Sequence, residues 1–267
     1  MNHNLFKNLK MNEDGTWISK EKEEVIPYPD DANDTCFNLE DKSFWFHHRA
    51  TCIVTTIQMY LKGRIFLDIG GGNGFMTKLI QDLGYDAFLV EPYKYGINNA
   101  KSRGVKNRIQ SSLEKMKLNT ASVDAVGIFD VLEHISDHGG FLKKINRILK
   151  KNGLIFITVP AYMFLWSEID VHSGHERRYT KKELNELLIK CNYSPVFSTY
   201  FFSFMLLPQY ILHLLKSVRR KKSKDNTSFL QLPKFINAFF QYEIWAMRRK
   251  ISLPFGSSIL CVAKKNR

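Results

Sequence analysis

Between residues 64 and 160 the chain alternates two apolar patterns. Short continuous runs read as buried strands: RIFLDIG (64–70), DAFLVEP (86–92), DAVGIFD (124–130) and LIFITVP (154–160), with RIQS (108–111) a shorter one. Between them lie stretches of helical period. GFMTKLIQDLG (74–84) and YGINNAKSRG (95–104) stop at glycines, and GGFLKKINRILKKNG (139–153) is amphipathic. Strands alternating with helices predict an α/β fold, a parallel sheet covered on both faces. SFWFHHRATCIVTTIQMY (43–60) and KKELNELLIKCNY (181–193) are further predicted helices. After Tyr200 the pattern changes. FFSFMLLPQYILHLL (201–215) is almost wholly apolar, KSVRRKKSK (216–224) is basic, and an aromatic helix (233–250) precedes a last strand, SSILCVAKK (257–265). The expected organisation is a lead-in and helical cap (1–60, with 1–40 polar and loosely ordered), a core (61–200), a helical insertion (201–255) and the core's last strand (256–267).

Charge adds one feature to this picture. The 267 residues carry a formal net charge of +13, unevenly spread. Residues 201–267 hold 13 Lys/Arg against 2 Asp/Glu, a net of +11, whereas residues 1–60 hold 6 against 10, a net of −4. The basic C-terminal part suggests an anionic partner, nucleic acid or an acidic membrane surface. Four dispersed cysteines, Cys36, Cys52, Cys191 and Cys261, form no CxxC pair and suit a reducing compartment. The N-terminal residues lack an apolar core of signal-peptide length, so the expected location is cytoplasmic.

The sharpest local feature is LDIGGGNGF (67–75). Asp68 closes the first strand, and Gly70, Gly72 and Gly74 follow at alternate positions. Such glycines let a backbone turn sharply and approach a ligand, and the helix that follows offers free N–H groups. The spacing is D-x-G-x-G-x-G rather than the G-x-G-x-x-G of dinucleotide loops. Asp68 would repel a pyrophosphate and attract an ammonium. Glu91, ending the second strand, suits the two hydroxyls of a ribose. A plain strand-to-helix turn is the alternative.

LDIGGGNGF, Glu91, SVDAVGIFDVLEHI (122–135) and LKKNGLIFITVP (149–160), in that order, resemble class I S-adenosylmethionine-dependent methyltransferases. The resemblance implies a Rossmann-like sheet of seven mostly parallel strands, the last antiparallel and inserted between the fifth and sixth. YSPVFSTYF (193–201) and SSILCVAKK would then be strands six and seven. It implies S-adenosylmethionine as cofactor. Asp68, Gly70 and Gly72 would hold its methionine end and Glu91 its ribose, with Phe129 and Asp130 lining the methionine pocket. Ser112 stands where many relatives have an Asp for the adenine amino group, and the backbone at Leu113 is left to serve the ring. FLWSEIDVHSGHERRYT (164–180) and LPFGSSILCVAKK (253–265) resemble bacterial methyltransferases with an HxRRY element.

Methyl transfer needs a base only where the acceptor keeps its proton, as a hydroxyl does. His134 lies just past the fourth strand, as a proton acceptor or as a packing residue. Asp170, His172, His175, Glu176, Arg177, Arg178 and Tyr179 crowd one segment. Two guanidinium groups oppose a cation there, so no metal is expected. His175 and Tyr179 are read as acceptor-pocket groups and Arg177 or Arg178 as a clamp on an anion, against a salt-bridged network that fixes the loop. Phe44, Trp45, Phe46, His47 and His48 are a lid or, better, core packing. No N/D-P-P-Y/F sequence follows strand four. Residues 201–215 are too short for a span of ~20 residues and are interrupted by Pro208. With Lys216, Arg219, Arg220, Lys221, Lys222 and Lys224 they suit interfacial binding at the inner face of a membrane, or a lid or dimer helix. Nucleic acid is a weaker partner, no RNA-binding motif accompanying the charge. The leading expectation is methyl transfer to a small-molecule or lipid-linked acceptor at oxygen. A catalytically silent membrane-peripheral module and a dinucleotide-dependent oxidoreductase are the alternatives.

Overall fold

The computed structural model describes residues 6–20, 36–218 and 234–266. Its sheet runs β1 (Leu9–Met11), β2 (Thr16–Ser19), β3 (Ile65–Ile69), β4 (Asp86–Glu91), β5 (Arg108–Gln110), β6 (Val123–Phe129), β7 (Leu149–Pro160), β8 (Tyr193–Phe201) and β9 (Ser258–Lys265) along the chain. In space the order is β1-β2-β5-β4-β3-β6-β7-β9-β8. From β5 to β7 neighbours are parallel. β9 is antiparallel to both β7 and β8, between which it lies. These seven strands have the expected arrangement, and the C-terminal ends of β3, β4, β6 and β7 share one edge.

The sheet is wider than the sequence pattern implies. The lead-in, expected to be loosely ordered, contributes a hairpin: β1 pairs antiparallel with β2, and β2 pairs parallel with β5, Trp17 opposite Ile109. Leu9 and Trp17 pack on the core, and Arg108 anchors the hairpin by donating to the Thr16 hydroxyl and the Asp14 carbonyl. Strands of three and four residues are too short for a period-2 signal.

The helices are α1 (Phe44–Tyr60), α2 (Phe75–Asp82), α3 (Lys94–Ser102), α4 (His138–Ile148), α5 (Glu168–His172), α6 (Lys181–Lys190), α7 (Ser203–Val218) and α8 (Lys234–Arg248). Two predicted helices end early. α4 stops at Ile148 rather than 153, because Leu149 is extended and pairs with Val123 across a register shift at the start of β7. α6 stops at Lys190 rather than 193, because Asn192 takes a positive φ of 66° and buried Tyr193 begins β8, its hydroxyl donating to the Leu142 carbonyl.

Each sheet face has its own core. One side gathers Leu67, Val126, Ile128, Ile155 and Ile157 with Leu142, Ile145, Leu184 and Leu188 of α4 and α6. The other gathers Phe66, Ala125 and Phe156 with α1, α2 and α8 through Ile53, Ile57, Met76, Ile244 and Met247. The helical cap and the C-terminal insertion therefore close the same face. Trp45 stacks on Phe202 and Phe44 on Phe240, so these aromatics are core packing. Buried Glu243 of α8 accepts the N–H groups of Phe202 and Ser203 and lies 2.7 Å from His48 Nε2, joining α8, α1 and the start of α7.

The segment after β7 is fixed by Asp170, which is fully buried. Its carboxylate accepts two bonds from Arg178, at 2.7 and 2.9 Å, and lies 2.9 Å from His175 Nδ1, while it also caps Ser167. Burial alone would raise its pKa, but the bonds from His175 and Arg178 override it and hold the carboxyl well below the usual range. The contribution is therefore present above about pH 4, the unfolded value, and is lost on acidification through the folded one. Removing one partner of a buried pair costs about 3–5 kcal/mol. Asp170→Asn is expected to lower unfolding free energy by that amount in urea titrations at neutral pH; a loss below about 1 kcal/mol would mean the network does not hold the loop.

Candidate cofactor site and acceptor edge

β3 ends at Ile69 and the chain turns through the glycine loop into α2. A Cβ at Gly70 would lie 2.7 Å from Val131, so the loop packs tightly there against the turn after β6. At Gly72, with φ +53°, an added Cβ would meet nothing within 4 Å. The loop thus presents bare backbone to open space.

Two acids flank this space. Asp68 is fully buried; its Oδ2 accepts the Thr77 hydroxyl at 2.6 Å, and Oδ1 has no hydrogen-bond partner among the described residues. Burial, partly offset by Thr77, pushes its pKa up to about 6. Glu91 closes β4. Its carboxylate accepts the Gly72 and Tyr93 N–H groups, each at 3.0 Å, and burial raises its pKa to about 7. Carboxylates with spare lone pairs beside bare backbone can hold an ammonium and vicinal hydroxyls.

β5 ends at Gln110, so Ser112 and buried Leu113 follow on the same edge as Glu91. At the end of β6, Phe129 stacks on Phe66, and Asp130 adopts a positive φ of 57°. Asp130 is held there by Arg49, 2.7 Å away, and by the Thr158 hydroxyl at 2.9 Å.

Arg49 and Glu40 contact these candidate site residues and were missed by the sequence reading. Buried Arg49 projects from α1, and its charge partly offsets the burial that raises the pKa values of Asp68, Glu40 and Glu133. Glu40 accepts the Asn73 side-chain amide and Arg103, tying the segment before α1 to the glycine loop. The one available signal was a lone cation on an otherwise apolar helix face.

Beyond Asp130 a 3-10 turn (Leu132–His134) carries fully buried Glu133 and half-buried His134. His175 meets His134 edge to face, ring centroids 4.7 Å apart. Burial and the neighbouring His175 lower the His134 pKa, which keeps the ring neutral, with a nitrogen lone pair free of a proton. Tyr179 lies behind this pair. Its ring is buried, and its hydroxyl sits 2.8 Å from His138 Nδ1 and donates to the Leu132 carbonyl. Arg177 donates to the Ile135 carbonyl and to Glu176, and Arg178 is bound to Asp170. Neither guanidinium is arranged as a clamp on an anion; both fix the loop.

On the same edge, past the end of β8, an apolar cavity of about 980 Å³ opens between α7, α8 and the turn before β9. Phe204, Leu207, Pro208, Phe239, Tyr242 and Phe255 line it, with Ser203 and Glu243 as polar members. No helix among the described residues is long and apolar enough to cross a membrane. Of the basic cluster, Arg219, Arg220, Lys221, Lys222 and Lys224 lie outside the described residues.

Residues 67–157 match the model of a methyltransferase domain family. A probable S-adenosylmethionine-dependent methyltransferase of Mycobacterium tuberculosis is 26% identical over 162 residues, 60% of this chain and 59% of that one. A ubiquinone biosynthesis O-methyltransferase of Pelagibacter ubique is 29% identical over 153 residues, 50% of this chain and 63% of that one. The matches therefore span less than two thirds of these relatives' lengths. Among solved structures, an S-adenosylmethionine-dependent methyltransferase from Archaeoglobus fulgidus superposes with a TM-score of 0.53 at 18% identity, covering 87% of this chain and 94% of that one. With the strand order and the D-x-G-x-G-x-G loop, these findings support a class I S-adenosylmethionine-dependent methyltransferase, with the methyltransferase domain matched over residues 67–157.

Proposed function

We propose that the protein transfers the methyl group of S-adenosylmethionine to a hydroxyl oxygen of an amphiphilic acceptor, a small molecule or a lipid-linked one. The observation that carries the reading is the pairing of a buried, half-satisfied Asp68 with open space over Gly72. A pyrophosphate would be repelled there and an ammonium attracted. In this reading Asp68, Gly70 and Gly72 hold the methionine end, Glu91 the ribose hydroxyls, and Ser112 and Leu113 flank the adenine. Phe129 and Asp130 wall the methionine pocket, Asp130 positioned by Arg49. Bound S-adenosylmethionine supplies a sulfonium-activated methyl carbon. The protein then orients the acceptor oxygen in line, excludes water and receives the hydroxyl proton. His134 and His175 supply that polar corner, and Tyr179 supports it from behind.

Two features support an amphiphile. The large apolar cavity shares the edge that carries the cofactor loop, and its volume lies in the range of small-molecule pockets. The flanking C-terminal part is strongly basic, which suits an acidic membrane surface as the place where acceptor is met. The Pelagibacter relative bears the name of an O-methyltransferase, in keeping with an oxygen acceptor.

Cofactor binding should be pH-dependent. Both acids are raised by burial, Asp68 to about 6 and Glu91 to about 7, and both must be ionised to do their work. Affinity for S-adenosylhomocysteine is expected to rise from pH 5.5 to 8 and level off, with protons released on binding near pH 6.5. Calorimetry in buffers of different ionisation enthalpy reads this directly; proton uptake, or NAD binding in its place, would contradict the assignment. Gly72→Val should lose binding without losing the fold.

Methyl-labelled cofactor incubated with cell extract should give a labelled product that partitions into organic solvent and carries the label on oxygen. A product confined to the aqueous phase would exclude the amphiphile, and cofactor binding without turnover on any extract would favour a silent module.

The protein should also sediment with acidic liposomes at low salt and be released as screening shortens the electrostatic reach to ~8 Å at physiological ionic strength. Protein that stays in solution at low salt would leave the apolar helix as a lid or subunit contact.

A further inference from the structure

At the turn after β6, one carboxylate oxygen of Glu133 and one imidazole nitrogen each of His134 and His175 lie within 4.8 Å of one another. We propose that Glu133, His134 and His175 bind a single divalent transition-metal ion, zinc or a metal of like coordination chemistry, with positions left open for an acceptor oxygen. The open positions rest on the methyl-transfer reading; the binding itself does not.

Three observations converge. First, Glu133 is fully buried and neither carboxylate oxygen has a hydrogen-bond partner among the described residues. A buried carboxyl with nothing to bind is costly, and a cation is the partner that removes the cost. Second, both imidazoles are oriented from behind. Nδ1 of His175 lies 2.9 Å from Asp170, and Nδ1 of His134 lies 3.3 Å from the Gly174 carbonyl. Histidines that ligate metals are held in this way, one nitrogen bonded to a carboxylate or carbonyl and the other turned to the ion. Third, the two guanidinium groups that argued against a cation are paired, Arg177 with Glu176 and Arg178 with Asp170, and nearby Arg49 is paired with Asp130. The Glu133 carboxylate forms no hydrogen bond or ion pair among the described residues.

Two imidazoles and a carboxylate suit zinc, cobalt or iron better than magnesium or calcium. A His₂Glu set leaves a further position for water or a substrate oxygen. A metal there would lower the pKa of a coordinated acceptor hydroxyl, so that its proton passes to water and the oxygen attacks as the alkoxide, in place of proton uptake by an imidazole. Donors about 2 Å from a tetrahedral zinc stand about 3.3 Å apart, so small side-chain rotations close the set. A second group, His48, Cys52 and Glu243, is also close enough to be considered, but there His48 and Glu243 already satisfy each other at 2.7 Å.

The test uses the full chain, free of affinity tags and stripped with chelator. Titration with cobalt(II) should show one tightly bound equivalent and a visible d–d absorption. Glu133→Gln and His175→Ala should each weaken binding 10-fold or more, while Cys52→Ser should leave it unchanged. Binding of S-adenosylhomocysteine and the far-ultraviolet circular dichroism spectrum identify variants that remain folded, and His134→Asn replaces either that does not. No cobalt on folded wild-type protein, or undiminished cobalt on the folded variants, overturns the site. Stoichiometric cobalt lost in the variants supports the site even where no methyl transfer is detected, since that failure falls on the proposed activity alone. If methyl transfer is detected and proceeds unchanged after chelation, the role at the acceptor is overturned.

Discussion

Buried carboxylates need partners, and this structure concentrates them on one edge of one sheet. β3, β4 and β6 deliver Asp68, Glu91 and Glu133 to positions almost without solvent. Among the described residues each is satisfied to a different degree: Glu91 has two backbone N–H groups, Asp68 one hydroxyl on one oxygen, Glu133 none. Such groups persist in a fold because something else completes them. The edge is therefore a set of unfinished electrostatic interactions, graded from the glycine loop toward the turn after β6.

Keeping those acids dry depends on elements remote in sequence. α1 brings Arg49 down to Asp130, and the segment before it brings Glu40 to Asn73 of the glycine loop. α8 locks α1 from outside through Glu243 and His48. The cap and the C-terminal insertion are in this sense parts of the site as well as of the core. The network around Asp170 does the same for the opposite wall, since it positions His175 against His134.

What could be read from the sequence follows the range of each interaction. The glycine loop and Asp68 were legible because spacing along one strand–turn–helix unit fixes their geometry, and Glu91 because it ends the strand paired beside it. The central strands were legible because continuous apolar runs mark parallel strands buried on both faces. The contact of His134 with His175 was not, because only the sheet order folds residues 41 positions apart onto one corner. Arg49 gave only a faint signal for the same reason: its partner Asp130 is on another element. Around Leu149 the helical period continues in the sequence, but tertiary pairing with Val123 outweighs it. The hairpin at residues 9–19 has too few residues for any period to show.

The position of β9 bears on how the molecule is made. It fills the slot between β7 and β8, antiparallel to each, so β8 has no place in the sheet until the chain has been made through Lys265. On the ribosome, at roughly 5–20 residues per second, the segment from the end of β8 to the start of β9 takes about 3–11 s to appear. During that interval a nascent chain holding β3 to β7 displays one unpaired edge on β7, with the apolar strand β8 tethered nearby. Completion of the sheet is thus a late, long-range event, and the nascent chain is exposed to edge-to-edge association until the last strand arrives.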